Sequence, residues 1–422
     1  MIRRLCALAA LALAVTAMPA SAGPPSDLFR QNAAAATLTQ AETQLTAQAA
    51  GGNQEAIYAL GATQFLRAFE KLNQGFYRYG FDISQWTNMA TPALTPGGPG
   101  SPTPAIMPPN PSPEPMTYEV MRTLLSTFVD DLDRASATLE RVTSNSVKLN
   151  VDLSAIRFDI NGDGKPDTED TLHIAPVEIH FDRADALWLR GYAQFFAAQT
   201  DFVLAHNFEP TFTAVGHIAF PHAGLPMSHV APAPPTPPPP PADPKHPEAT
   251  PDTSFSNYYP LFADLVAYVH TINWEVVEPE RRARVRQRLL TMARLSREMI
   301  AAVRAEHDND HEWIPNAHQD SWVEDNMHVT VTNDTLNAWV RATQLAEDVL
   351  NGRKLVPFWR FAQGMDMEAF FDRPTRFDLV LLLTGQGAVP YLRDGPKVTG
   401  DELTAIGNDL GPNPFLFALW FN

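Results

Sequence analysis

Apolar residues at three- and four-residue steps run through much of this chain, and that spacing favours helices over strands. Met121, Leu124, Leu125, Phe128, Leu132, Ala135, Leu139 and Val142 form one such series. At 3.6 residues per turn they fall on a single face. Tyr58 to Phe76 and Ala186 to Leu204 step the same way. So do Val285, Leu289, Met292, Leu295, Met299 and Val303, with Pro279 standing as a first-turn residue. The strand signal is local. Val147, Leu149, Val151 and Leu153 alternate with polar residues, and Ile156 and Phe158 continue after a break. The expected fold is mainly α with a small β element.

Two proline-rich tracts divide the helical segments. Residues 91–115 and 226–253 hold 22 of the 38 prolines, including the run Pro237 to Pro241. Such composition cannot pack a core, and it favours extended geometry with little fixed structure. The expected organisation is N-terminal helices over 23–90, a first insertion at 91–115, and helices with short strands over 116–225. A second insertion at 226–253 precedes a helical part at 254–422, forming one domain with 23–225.

The first 22 residues read as a secretory signal peptide: Arg3 and Arg4, an apolar stretch from Leu5 to Met18, then Ala20-Ser21-Ala22 as a small-residue cleavage site. The expected location is periplasmic or secreted. Cleavage takes the lone cysteine, Cys6, and with it disulfides, thiolate nucleophiles and cysteine-ligated metals. The full chain carries 31 Lys and Arg against 48 Asp and Glu, a net charge of −17. That balance opposes nucleic-acid binding, which needs a basic footprint. No segment after the signal offers the 18 or so consecutive apolar residues of a membrane span, so no membrane insertion is expected. Arg281, Arg282, Arg284, Arg286, Arg288, Arg294, Arg297 and Arg304 crowd one helical segment. In so acidic a chain they are expected to pair with acidic neighbours.

Residues 159 to 170 read Asp-Ile-Asn-Gly-Asp-Gly-Lys-Pro-Asp-Thr-Glu-Asp. Calcium takes six to eight oxygens, and a 12-residue loop supplies them from positions 1, 3, 5, 7, 9 and 12. Those positions hold Asp159, Asn161, Asp163, the carbonyl of Lys165, Asp167 and Asp170, with Gly164 at the sharp turn of position 6. Carboxylates this close repel one another unless a cation neutralises them. The loop resembles the EF-hand-type loops of dockerins, and its Asp-Gly-Lys-Pro-Asp portion is similar to FG-GAP repeats. Both resemblances imply calcium at the matching residues. A dockerin needs a second loop that this chain lacks, so a cohesin partner is not implied. Asp170 stands where such loops usually carry glutamate. The expected role is a fixed staple ordering the connection to the helix near Ala186.

A second candidate is the stretch from Glu306 to His328, where His307, His311, His318 and His328 are interspersed with acids. His307 and His311 are spaced i, i+4, so a continuing helix would present both imidazoles on one face, with Glu312 beside them as ligand or general base. The His-Glu-x-x-His pattern fails, because Trp313-Ile314-Pro315 follows Glu312. The bland alternative is a polar loop whose histidines are solvated or cap the helix end. His270, beside Val269 in an apolar helix, is expected to be a core histidine. Phe415 to Phe421 is expected to be a buried terminal element.

Gly61-x-x-Gln64-Phe65-x-x-Ala68 recurs as Gly191-x-x-Gln194-Phe195-x-x-Ala198. Small residues at these steps let a second helix approach closely, and the pattern resembles the helical hairpins of tetratricopeptide-like solenoids. The C-terminal third, with Pro357-Phe358-Trp359-Arg360 and the Ala418-Leu419-Trp420-Phe421-Asn422 end, resembles uncharacterised secreted bacterial proteins and implies no activity. Together these readings give a helical-hairpin, solenoid-like array carrying a calcium loop. The function expected is that of an exported calcium-binding protein, non-enzymatic, that binds or scaffolds an unidentified protein or small molecule. The alternative is a metal-dependent hydrolase using residues 306–328.

Overall fold

The computed structural model describes residues 23–83, 107–166, 177–228, 254–322, 324, 329–373 and 375–421. The first 22 residues, where a signal peptide is expected, most of both proline tracts, and Asp167, Asp170, His229, Asp325 and His328 lie outside them. Mainly α is what the chain forms. Helices α1 (Pro25–Ala34), α2 (Leu38–Ala49) and α3 (Gln54–Arg78) lead to α4 (Tyr118–Leu139). Strands β1 (Leu149–Asp152) and β2 (Glu178–Phe181) pair antiparallel, and α5 (Arg183–Leu204) follows. Then come β3 (His206–Asn207), α6 (Glu209–Val215), α7 (Ser254–Thr271), β4 (Asn273–Val276) and α8 (Pro279–Val303). The remainder comprises α9 (Asn333–Leu350), β5 (Val356–Pro357), β6 (Gly364–Met365), α10 (Met367–Asp372), β7 (Phe377–Asp378), α11 (Leu379–Thr384), β8 (Leu392–Arg393), α12 (Gly400–Asp409) and α13 (Pro414–Phe421). No helix of the described residues is long and apolar enough to cross a membrane.

The long helices pack in a row, α2 on α3, then α4, α5, α8 and α9 in turn. Each buries the stripe its sequence advertises. In α4, Phe128, Leu132, Ala135 and Leu139 are buried, and the Thr117 side chain accepts from Val120 N to cap the start. The recurring glycine and glutamine have a structural counterpart. A Cβ on Gly61 would lie 2.6 Å from Leu139 Cδ2, so α4 approaches α3 where only glycine fits. Gln64 Oε1 accepts from Thr138 Oγ1 at 2.6 Å, and Gln194 Nε2 donates to Ser136 Oγ at 3.1 Å. Both copies thus clasp α4 from opposite neighbours.

The arginines of α8 are spent inside the fold. Arg281, Arg284 and Arg288 converge on Asp201, which is fully buried in α5. Arg286 pairs with Asp372, Arg297 with Glu347 and Arg294 with Glu298. Arg282 is buried without a carboxylate, donating to the Thr375 carbonyl and standing 4.3 Å over the Phe370 ring.

Two expectations change. Residues 107–115, within the first proline tract, are fixed on the end of α3. Met107 is buried, Glu114 N donates to the Arg78 carbonyl at 3.0 Å, and Asn110 Nδ2 donates to Tyr77 O at 2.8 Å. The C-terminal run is apolar all round but only one side is buried: Phe417, Trp420 and Phe421 are buried, while Phe415 is 78% and Leu419 51% exposed.

Candidate metal centres

The loop begins where β1 gives way to irregular chain lying against α3. Asp159 N donates to Glu70 Oε1 at 3.1 Å, and Gln74 Nε2 donates to the Asp159 carbonyl at 2.7 Å. From that anchor the side chains fold the loop back on itself. Asp159 Oδ2 accepts from Gly164 N at 3.1 Å, Asn161 Oδ1 from Asp163 N at 2.9 Å, and Asp163 Oδ1 from Lys165 N at 2.8 Å. Gly162 and Gly164 take φ of 78° and 77°, which other residues adopt at a cost. The side chains at positions 1, 3 and 5 therefore each accept from a backbone amide further along the loop. Asp159 Oδ1 is buried with no hydrogen-bond partner. A hard cation would satisfy that oxygen, so the described half of the loop fits calcium. Asp167 and Asp170 lie outside the described residues. Burial pushes the Glu70 carboxyl up despite the Asp159 amide and Arg67.

In the second stretch the helix does not continue. α8 ends at Val303, and the Ala305 amide bonds to Ala302 as the last turn tightens. Asn316 Nδ2 caps the Val303 carbonyl at 3.1 Å, and Gln319 Nε2 holds the Asp308 carbonyl at 3.0 Å. The i, i+4 argument for His307 and His311 therefore does not operate. Both are exposed, and His311 has a φ of 66°. Asn316, rather than a histidine, caps the helix.

Glu312 turns inward, 2% exposed, and meets Glu306 and Asp182. One carboxylate oxygen from each lies within 4.8 Å of the other two. Asp182 caps α5, its Oδ1 accepting from Ala184 N at 2.7 Å, while Asp185 Oδ2 accepts from Asp182 N at 2.9 Å. The loop behind this junction is pinned by tryptophans: Trp188 Nε1 donates to the Trp420 carbonyl at 2.7 Å and Trp420 Nε1 to the Trp313 carbonyl at 3.1 Å. Burial, then the Asp182 charge, pushes Glu306 up to about 9 and Glu312 up to about 7. Burial and Asp182 also raise Asp185 well above the carboxylate range. A cleft of 440 Å³ opens onto Asp182, Glu306, His307, Asp308 and Lys148. Lys148 itself is engaged by Asp308 and Asp310.

The sequence gives Asp182-x-x-Asp185 before a helical run, a readable capping box. It does not reveal which acids from later in the chain would face it. His270 is exposed, not a core residue. The buried histidine is His206, fully enclosed, with Nδ1 2.6 Å from the Phe202 carbonyl and Nε2 without a partner. Burial lowers its pKa to about 4. A helix with an exposed apolar face was also not anticipated: on α7, Tyr259 is 62%, Phe262 58%, Leu265 56% and Tyr268 46% exposed.

No family model, curated protein or solved structure matches this chain.

Proposed function

We propose that this is an exported, calcium-stabilised, non-enzymatic protein that binds or scaffolds a protein partner. The observation that carries the calcium half is the set of loop turns closed by Asp159, Asn161 and Asp163, with Asp159 Oδ1 buried and unpartnered. Backbone amides already hold one oxygen of each of these side chains, which restricts the conformations a cation would have to order. The loop's anchorage to Glu70 and Gln74 on α3 supports a staple rather than a switch, because binding would tighten an existing junction.

The binding half is supported by the exposed face of α7. Apolar patches of this kind mark interaction surfaces. Residues 254–271 contain no Lys or Arg, in a chain of net charge −17, so an anionic lipid surface has nothing to attract it. A protein partner with an apolar face of its own is the better complement. The alternative, a metal-dependent hydrolase at 306–328, is favoured by the meeting of Glu306 and Glu312 with Asp182 beside a cleft that Asp182 and Glu306 line, without the histidine pair it was built on.

The test is thermal unfolding of the mature protein in EDTA and then in calcium, with Asp163→Ala as control. Extracellular loops bind at about 10⁻⁴ to 10⁻³ M, and ligand at a hundred times its dissociation constant stabilises by about 2.7 kcal/mol. A rise in Tm with calcium that Asp163→Ala abolishes is the expected result. An equal rise in both proteins, or none in either, would remove calcium at this loop from the proposal.

A further inference from the structure

The junction of Asp182, Glu306 and Glu312 invites a reading that the loop does not supply. Acids alone establish little, since a folded chain can neutralise them with protons. Here a separate observation points to a ligand. Asp185, one turn into α5, is 1% exposed, and its Oδ1 has no hydrogen-bond partner. The charges that act on its carboxyl are those of Asp182, Glu312 and Glu306. A buried carboxylate oxygen without a partner therefore belongs to the residue one turn behind Asp182, whose other oxygen holds the Asp182 amide. Such an oxygen costs free energy unless something positive reaches it.

No basic side chain does so among the described residues. Lys148, at the cleft, is taken by Asp308 and Asp310. Arg183 turns to Asn145 instead. Asp182 caps α5 through Oδ1, Glu306 accepts from Gln319 through Oε2 at 3.4 Å, and the Asp182 and Glu306 carboxyls are hydrogen-bonded to each other, a contact that needs a proton where a cation would otherwise lie. Donors on a calcium ion at 2.3–2.6 Å can be up to about 5 Å apart, and those on magnesium about 4 Å. The three oxygens lie within 4.8 Å of one another, inside the span a calcium ion bridges. The 440 Å³ cleft, reaching Asp182 and Glu306, would supply its remaining ligands as water.

We propose that Asp182, Glu306 and Glu312 bind a hard divalent cation, with Asp185 behind them as a further buried carboxylate. All-oxygen donors suit calcium, magnesium or manganese. The site is separate from the 159–170 loop, and it joins the start of α5 to the chain that follows α8. Its competitor is the proton, so cation binding should release protons.

The test uses Mn²⁺ as probe, by equilibrium dialysis at pH 7.5, on the full mature chain carrying Asp163→Ala to silence the loop. About one Mn²⁺ per chain is expected, with affinity falling more than about tenfold when Glu312→Gln is added. Unchanged binding in Glu312→Gln, or no binding in Asp163→Ala, would overturn the proposal. Because a buried substitution can disturb folding, a second measurement leaves the cluster intact. Titration calorimetry of the Asp163→Ala protein with Mn²⁺ should give a heat that saturates at about one ion per chain. The absence of a saturable heat would overturn the proposal too. The loop stands or falls separately, by whether wild type binds one more cation than Asp163→Ala.

Discussion

Replacing Asp201 by alanine probes how the row of helices is held together. The carboxylate is 0% exposed, and it accepts from Arg281 Nη1 at 2.6 Å, Arg288 Nε at 2.8 Å and Arg284 Nε at 3.1 Å. Arg288, 6% exposed, also clasps Asp133, so α4, α5 and α8 meet through one guanidinium. Burial works against that charge, but Asp133 and Asp201 hold its pKa above the ordinary value. Breaking a buried pair from one side costs about 3–5 kcal/mol, because the other charge is left uncompensated. Arg288 would keep Asp133 and Arg281 would keep Glu278, which places the expected cost at the lower end, about 3 kcal/mol. At about 2 °C per kcal/mol for a large domain, Tm should fall by about 6 °C. Urea unfolding followed by circular dichroism gives the free energy directly. Asp409→Ala is the control, since its pair with Arg341 is 49% and 45% exposed and should be worth at most about 1 kcal/mol. Salt at 0.5 M should shrink the control's effect and leave that of Asp201→Ala nearly unchanged. A cost below about 1 kcal/mol for Asp201→Ala, or one that salt abolishes, would refute the reasoning.

Two further outcomes follow from close packing and from burial. Gly61→Ala should destabilise by about 1–3 kcal/mol through overpacking against Leu139, whereas Gly407→Ala, with no atom within 4 Å of its added Cβ, should stabilise by up to about 1 kcal/mol; equal effects in denaturant unfolding would contradict the close approach of α3 and α4. His206 has a folded pKa of about 4, below the unfolded value of about 6.5. Between those values the unfolded chain binds the extra proton, so stability is lost as pH falls from about 6.5 towards 4. His206→Asn keeps a donor for the Phe202 carbonyl but cannot titrate, and its unfolding free energy should decline less steeply over that window. Parallel declines measured between pH 7 and 4 would show that His206 is not the group responsible.

What was legible in the sequence divides along physical lines. Periodicity is local, so the stripe of α4 could be read from Phe128, Leu132, Ala135 and Leu139 before any neighbour was known. The asparagine and aspartates of 159–163 were legible for the same reason, because an Asx turn reaches only two residues along the chain. The end of α8 was not. Arg304, Ala305 and Glu306 would continue it, and the carbonyl of Val303 at its end is capped by Asn316, a residue of the following loop. Once the chain turns there, His307 and His311 lose the shared face that gave them a role, and Glu306 and Glu312 acquire one against Asp182. His206 and His270 make the same point. His206 follows an apolar helix and His270 lies near the end of one, but Phe202, Trp274 and Phe377 close over the first, while the second lies on a helix whose apolar side is left open. Pattern identifies a side that wants covering. Only the arrival of a distant element decides which residues are covered, and a site made of Asp182, Glu306 and Glu312 exists only after that decision.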